Sequence, residues 1–318
     1  MITAVGSPTQ ARISGCGQCR PRRSVRNDEL PAELAVDDSW VVARTGIRAR
    51  RLADETETVV SMAAEAAGKA VADAGIDAAD VDRVLLATCS MPTPIPGGAA
   101  QVAHRIGATS AGAFDVNAAC AGFSYALAAA ADAVRTGATR HVVVVGAEKL
   151  SDWVDWTDRR SAVLFGDGAG AVVVSASSRP GIGPLVCGSD GSLAPLIAVP
   201  PGGKLTLDGP AVFRWATTVM ADAALRICLA SGLTPDRLDA VVPHQANQRI
   251  VAAVARGLGT EGAVVADDIT TAGNTSAASI PLALCRLRDS GAVCGGALAL
   301  LLGFGAGLTW AGQIVEIP

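Results

Sequence analysis

The chain has 318 residues, half of them hydrophobic and only 3% aromatic, with 35 glycines and a formal net charge of −4. That length can bury a large core, as one domain or as two halves, and the shortage of aromatics leaves Ala, Val and Leu to build it. The acidic balance argues against a nucleic-acid partner, and the longest late apolar run, Ala297 to Leu302, is far too short to span a bilayer.

Residues 1–10 read as a loose N-terminal extension, and 11–17 as a first strand. The N-terminus has neither the basic start nor the apolar run of a signal peptide. Eight cysteines, at 16, 19, 89, 120, 187, 228, 285 and 294, form no small-domain disulfide framework in so long a chain, which places the protein in a reducing cytoplasm. Cys16 and Cys19 match C-x-x-C. No second pair or His partner stands at zinc spacing, so the match reads as chance and no metal is expected. Arg20, Arg22, Arg23 and Arg26 form the one basic cluster: a solvated face, or a docking spot for an acidic partner or a phosphate-bearing ligand. Trp40 with Arg44 four residues on is either a surface helix end or a pair that stacks a base and grips phosphate.

Residues 55–75 read as an Ala-rich helix stopped by Gly, and Val81 to Thr88 as a strand. Pro92, Pro94 and Pro96 fix an extended loop before a helix over 98–107. A strand end at 113–116 leads through a small-residue turn at Cys120 into a helix over 120–136. His141 to Gly146 is a strand buried on both faces. A Trp-containing polar loop, 151–160, precedes a glycine-rich segment and strand over 162–175. In the second half, helix is expected over 211–232, strand over 238–242, helix from His244 to about Gly257, helix from Gly273 through Leu287, and strands at 297–302 and 308–315.

Strands alternating with helices point to α/β layers. Asp82-Arg83 recurs at Asp236-Arg237 and Gly137-Ala138 at Gly291-Ala292, both 154 residues later. The shared offset reads as an internal duplication, with halves at 11–176 and 177–318. Applied to the turn at Cys120 it reaches Asn274, and it sets His244 opposite Ser90.

A thiol at a helix N-terminus meets free N–H groups and the macrodipole, which lower its pKa and favour thiolate. The bland alternative is a small buried Cys packed like Ala. Cys120, His244 and Asn274 each stand at an element end. Singly they are weak signals, since Asn274 could be only an N-cap. Together they offer a nucleophile and two donors to a carbonyl oxygen, and the glycine loop 303–307 could add a backbone N–H. Gly166-Asp-Gly-Ala-Gly fits no dinucleotide fingerprint, because a Val-rich strand follows it directly.

Trp40 to Arg48, Ala118 to Phe123, Phe165 to Gly170, Pro243 to Ile250, Gly273 to Ser276 and Gly303 to Gly307 together resemble β-ketoacyl-acyl-carrier-protein synthase III, of the thiolase-like condensing enzymes. The resemblance covers roughly residues 11 to 316. It implies a five-layer αβαβα fold from two duplicated halves, usually a homodimer, acting on acyl-CoA and malonyl-acyl carrier protein with no cofactor. It also implies roles. Cys120 takes the acyl group. His244 and Asn274 hold the malonyl thioester carbonyl while CO2 leaves. The backbone N–H groups of Cys120 and Ala306 hold the oxyanion. Trp40, Arg44, Trp153 and Asn247 contact CoA; Gln245, Ala246, Asn247, Gln248 and Arg249 meet the carrier protein; and Ile95 reaches the partner's acyl pocket. Asp152 departs from an Arg found in some members, Pro210 replaces an amide residue often present there, and the stretch Pro195 to Leu205 looks short for a pocket wall. The alternative is an acyltransferase of the same fold that moves acyl groups without condensing them.

Overall fold

The structure, a computed structural model, describes residues 9–318; most of the expected N-terminal extension lies outside them. Two five-stranded sheets carry the architecture. The first takes strands β1 (Gln10–Cys19), β2 (Arg83–Ala87), β3 (Gly112–Val116), β4 (His141–Lys149) and β5 (Asp167–Ser177), in the order β1-β5-β4-β2-β3. The second takes β6 (Val186–Ser189), β7 (Ala240–Pro243), β8 (Val264–Val265), β9 (Leu298–Gly305) and β10 (Thr309–Glu316), in the order β6-β10-β9-β7-β8. Each strand of the second sheet takes the place of the strand five numbers earlier. Parallel and antiparallel pairings repeat as well: β2 runs parallel to β3 and β4, as β7 does to β8 and β9, and the remaining pairs are antiparallel.

Among the described residues, seven helices of at least eight residues complete the layers: α1 (Asp38–Thr45), α2 (Val59–Asp73), α3 (Ala99–Ile106), α4 (Gly122–Arg135), α5 (Gly209–Ala230), α6 (Gln248–Leu258) and α7 (Ser279–Asp289). Helices α2 and α3 cover the outer face of the first sheet, with Ala63, Ala66, Ala67 and Ala70 buried against Val143, Val145 and Val173. Helices α5 and α6 cover the second sheet in the same way. Between the sheets, α4 and α7 share one core with both inner faces, including Ala126, Ala130, Ala131, Leu284, Val144 and Leu301. The result is five layers. Small Ala side chains let the sheets close on α4, and enlarging one of these fully buried positions costs about 1–3 kcal/mol of overpacking.

The duplication is real, but its offset differs from the sequence reading. The positive-φ residues Ala119 (φ 45°) and Ser276 (φ 47°) stand 157 apart. So do Asp82 and Asp239, whose carboxylates each accept a backbone N–H at the start of the neighbouring strand. Helix α7 is three residues shorter than α4. That deletion returns the offset to 154 at Gly137 and Gly291, whereas the match of Asp82 with Asp236 was chance. Cys120 is therefore equivalent to Ala277, Asn274 to Asn117, and His244 to Ala87.

Short strands escaped the sequence reading. Strands β6 and β8, and the antiparallel ribbon of Arg23–Arg26 with Ala49–Leu52, carry little alternation in so few residues. Three members of the basic cluster form ion pairs within the chain. Arg20 pairs with Asp268 at 3.0 Å, Arg22 with Asp54 at 3.0 Å and Arg26 with Asp28 at 3.1 Å. Cys16 packs in the central core and Cys19 in the outer one, so the C-x-x-C pair faces opposite sides of β1.

Candidate active site

Cys120 sits in a single 3-10 turn, Ala119–Ala121, against the first turn of α4, which has no side-chain cap. Its sulfur faces the backbone N–H groups of Cys120 itself and of Ala306, and the hydroxyl of Ser276. Each of these favours the thiolate, as the elbow reading expects. Burial outweighs them and pushes the thiol up to about 12. The expected low pKa is thus not found: the sulfur lines a cavity inside the protein rather than an exposed helix end.

His244 follows β7 and does not open a helix. Helix α6 begins at Gln248, where Asn247 accepts the Arg249 N–H as N-cap. The His244 ring is buried, and burial alone pulls its pKa down to about 3, so the imidazole is neutral at pH 7. Its Nδ1 lies 2.7 Å from Ser279 Oγ. That oxygen also accepts the Gln245 N–H at 3.3 Å. In the tautomer in which the Ser279 hydroxyl donates to Nδ1, Nε2 carries the ring proton and acts as a donor. Phe304 packs edge-on against the ring, with centroids 5.3 Å apart.

Asn274 is fixed at three points. Its N–H donates to Leu164 O at 2.8 Å, its carbonyl accepts from Gly166 N–H at 3.0 Å, and Oδ1 accepts the Ser276 N–H at 2.9 Å. The last bond sets the carboxamide orientation and leaves the NH2 group to donate.

Cys120, His244 and Asn274 line one cavity of about 330 Å³. Backbone N–H groups and two neutral donors thus surround a half-buried sulfur, an arrangement suited to acyl transfer and to holding a carbonyl oxygen as it gains charge. The remaining wall is apolar. Ile197, Ala198, Val199, Leu205 and Leu207 form it from a small hairpin, so the short stretch after Pro195 does make a wall. Pro210 lies in the first turn of α5, capped by Asp208.

Other expected site residues divide. Trp153, Ala246 and Asn247 line the cavity, and Asn247 also donates to Arg44 O at 2.9 Å. Trp40 and Arg44 lie beyond it and stack on one another, Arg44 4.2 Å from the ring centroid. Arg159 approaches the same ring at 5.6 Å, a cation that reading Asp152 alone had missed. Gln248 and Arg249 line a separate surface groove with Phe213 and Arg256. Gln245 is a correction: it is buried, Nε2 donates to Pro243 O and Oε1 accepts the Ile269 N–H, so its side chain has no docking surface to offer. Ile95 is 84% exposed and lies outside this chain's own cavity. Ser276 and Ser279, both touching the triad, went unread because a serine at a helix start looks like a cap.

The family model described as 3-oxoacyl-[acyl-carrier-protein (ACP)] synthase III matches residues 114–191, and the model of its C-terminal part matches 228–317. The chain is 45% identical to the mycobacterial β-ketoacyl-[acyl-carrier-protein] synthase III of Mycobacterium avium, over 100% of this chain and 98% of that protein. The chain belongs to the β-ketoacyl-[acyl-carrier-protein] synthase III family. A further relative, β-ketoacyl-[acyl-carrier-protein] synthase III 4 of Streptomyces coelicolor, is 46% identical, covering 97% of this chain and 99% of that one. Among solved structures, the priming β-ketosynthase from the R1128 polyketide biosynthetic pathway superposes with a TM-score of 0.97 at 44% identity, covering 99% of this chain and 98% of that chain. The duplicated layers described above are thus the fold of synthase III enzymes, of the thiolase type.

Proposed function

We propose that this chain is an acyltransferase that condenses an acyl group from acyl-CoA with malonyl-acyl carrier protein, losing CO2 and starting fatty acid or polyketide chains. The observation that carries this reading is the meeting of Cys120, His244 and Asn274 in one apolar cavity. In the first half-reaction the Cys120 sulfur attacks the acyl-CoA carbonyl, and the N–H groups of Cys120 and Ala306 stabilise the tetrahedral oxyanion. CoA leaves as a thiol and the acyl group stays as a thioester. In the second, the malonyl thioester oxygen takes the place of the CoA ester. His244 Nε2–H and the Asn274 NH2 donate to it, so the enolate forming as CO2 departs is held by two neutral donors. The enolate carbon then attacks the acyl-Cys carbonyl and the sulfur leaves. Two covalent half-reactions predict ping-pong kinetics.

Two donors aimed at one thioester oxygen favour condensation over simple acyl transfer. No metal or cofactor enters these steps. Trp40, Arg44 and Arg159 supply a cationic, aromatic platform for the CoA nucleotide, and Trp153 and Asn247 flank the pantetheine path. Arg249 and Arg256 beside the cavity suit an acidic carrier protein, with Ala246 to Gln248 at its edge. A homodimer is supported by the exposed Ile95 and by the open edge strand β3, where Phe114 is 50% exposed. Eight unpaired cysteines suit the cytoplasm. Among the described residues no helix is long and apolar enough to cross a membrane.

The test is a panel of acyl-CoAs followed by intact-mass measurement, then addition of malonyl-carrier protein. Acyl mass gain, then CO2 and ketoacyl product, is the expected result. Mass gain with acyl transfer to the carrier and no CO2 establishes the acyltransferase alternative instead.

A further inference from the structure

A fully buried arginine stands behind the cavity wall and has no part in the reaction as derived so far. Arg50, on the ribbon strand Ala49–Leu52, has no solvent exposure. No carboxylate pairs with it among the described residues, and burial pulls its pKa down to about 10, which leaves it charged at pH 7. A buried cation is costly unless its donors find oxygens, and a guanidinium can fork them to several at once. Nη2 donates to Asn27 Oδ1 at 2.7 Å and to Val163 O at 3.0 Å, and Nη1 donates to Val25 O at 3.4 Å. Asn27 is fixed in turn: its Nδ2 donates to Asp38 Oδ1 at 2.8 Å and to Ile47 O at 2.7 Å. Arg50 thus ties the N-terminal ribbon, and through Asn27 the two ends of α1, to residue 163.

Residue 163 opens the segment that carries Asn274. Leu164 O accepts the Asn274 N–H at 2.8 Å, the Gly166 N–H donates to Asn274 O at 3.0 Å, and Phe165 bridges Asn274 in parallel register. Both backbone bonds of Asn274 therefore go to 164–166, next in the chain to the Arg50 anchor. Arg50 also packs against the other side of this junction. Gly273 adopts φ 73°, and a Cβ on it would lie 3.0 Å from Arg50 Cβ and 3.1 Å from Leu164 O. The stem of Arg50 thus limits how residue 273 can move. Cys120 and His244 stand on different supports. The first lies against Gly303 and Gly305, and the second is held by Ser279 and Phe304. None of the Arg50 hydrogen bonds reaches either of them.

We infer that Arg50 is a positioning residue for Asn274, holding its carboxamide where it donates to the malonyl thioester oxygen. The inference rests on the reading of Asn274 as a donor during CO2 release. Arg50 itself touches no substrate: Leu164, Phe165 and Asn274 line the cavity, and Arg50 lies outside its lining. Removing the guanidinium leaves Val163 O without this donor and loosens the adjoining 164–166 segment. A misplacement of about 1 Å at a positioned group can cost about 100-fold in rate. Acyl loading uses the N–H groups of Cys120 and Ala306 and does not need the Asn274 donor. The two half-reactions should therefore respond differently to the loss of Arg50.

The experiment measures the two half-reactions separately in wild type, Arg50→Lys and Arg50→Met, with folding checked by circular dichroism. Loading is read as intact mass in a single turnover, using whichever acyl-CoA loads wild type fastest. CO2 release is read from pre-loaded protein mixed with malonyl-carrier protein. Arg50→Met should slow CO2 release about 10- to 100-fold and loading by no more than about threefold. Arg50→Lys, whose ammonium is a point charge rather than a fork, should fall between wild type and Arg50→Met. Each substitution is then repeated on Asn274→Ala. There Arg50→Met should change CO2 release by no more than about twofold, because residues acting through one another do not add. A merely structural role would give the same factor in both backgrounds. Equal losses in the two half-reactions, unchanged CO2 release in Arg50→Met, or an undiminished factor on Asn274→Ala overturns the inference. If Arg50→Met does not fold, Arg50→Lys carries the same comparison and decides alone. Wild type that loads from no acyl-CoA, or loads and releases no CO2, removes the functional reading itself, an outcome distinct from these.

Discussion

The two halves place the same turn at the same point and equip it differently. In the first half the turn Ala119–Ala121 holds Cys120; in the second, Ser276–Ala278 holds Ala277. Each turn is pressed against a glycine of the opposite sheet. A Cβ on Gly303 would lie 2.9 Å from Ala121 Cα, and one on Gly146 would lie 2.3 Å from Ala277 O. Beyond each glycine the strand end differs. Gly305 leaves space above Cys120, and a Cβ there would come within 2.8 Å of the sulfur. Its counterpart Glu148 fills the equivalent space beside Ala277. The second half supplies His244 and Ser279 where the first has Ala87 and Gly122, whose Cβ would lie 3.4 Å from that of Ala87. Duplication thus yields one open chamber, lined by Cys120 from one copy and by His244 and Asn274 from the other, and a second chamber closed by a carboxylate.

That comparison breaks most sharply at the nucleophiles. Cys120→Ala should abolish acyl loading, seen as no mass gain after incubation with acyl-CoA. Moving the thiol to the other turn, as Cys120→Ala with Ala277→Cys, should not restore it, because Glu148 occupies the space an acyl group needs. A mass gain at residue 277, located by peptide mapping, would contradict the closed-chamber account.

The two asparagines give the next largest contrast. Both accept the N–H two residues ahead, Asn117 at 3.2 Å and Asn274 at 2.9 Å. Only Asn274 also serves as a donor in the proposed chemistry. Asn274→Ala should load acyl groups normally yet lose about 100-fold or more in CO2 release, the usual size for one oxyanion donor. Asn117→Ala should lose under tenfold in either half-reaction, with stability down about 1 kcal/mol for one hydrogen bond, measured by denaturant unfolding. Equal losses from the two variants would mean the carboxamides act through the turns rather than on the substrate.

A similar contrast stands at the strand glycines. Gly305→Ala should slow acyl loading as well as destabilise, because its new methyl would stand 2.7 Å from Cys120 Cβ and 2.8 Å from its sulfur. Gly146→Ala meets backbone carbonyl and should destabilise by about 1–3 kcal/mol, seen as a lowered Tm.

Much of this was legible in the sequence because it depends on local signals. Runs such as Val142 to Val145 and Ala-rich α2 and α4 announce buried strands and helices, and the triad stands in distinctive motifs. The misreadings came from properties that only packing decides. A three-residue deletion in α7 disguised the true offset of the repeat. The helix-end argument for Cys120 omitted burial, which reversed the direction of its pKa. Gln245 stands in a largely polar stretch of sequence, His244 to Arg249, yet the turn after β7 folds it inward. Glu148, in Gly-Ala-Glu-Lys after an apolar strand, looks like an ordinary surface carboxylate until the second half closes over it.

The last contrast lies in His244, and its sign follows from burial. The folded-state pKa is about 3 against an ordinary 6.5, so the unfolded chain binds this proton more readily. The neutral ring's contribution to stability is complete above pH 6.5 and is lost as pH falls toward 3. The first half has Ala87 at the equivalent place and gains no such dependence there. His244→Gln keeps a hydrogen-bonding side chain and removes the titration, so its Tm should fall less steeply than wild type between pH 6.5 and pH 4. Parallel Tm curves for the two proteins would place the charge-free state of this ring in solvent contact rather than in burial, and with it the assignment of Nε2–H as a fixed donor would fall.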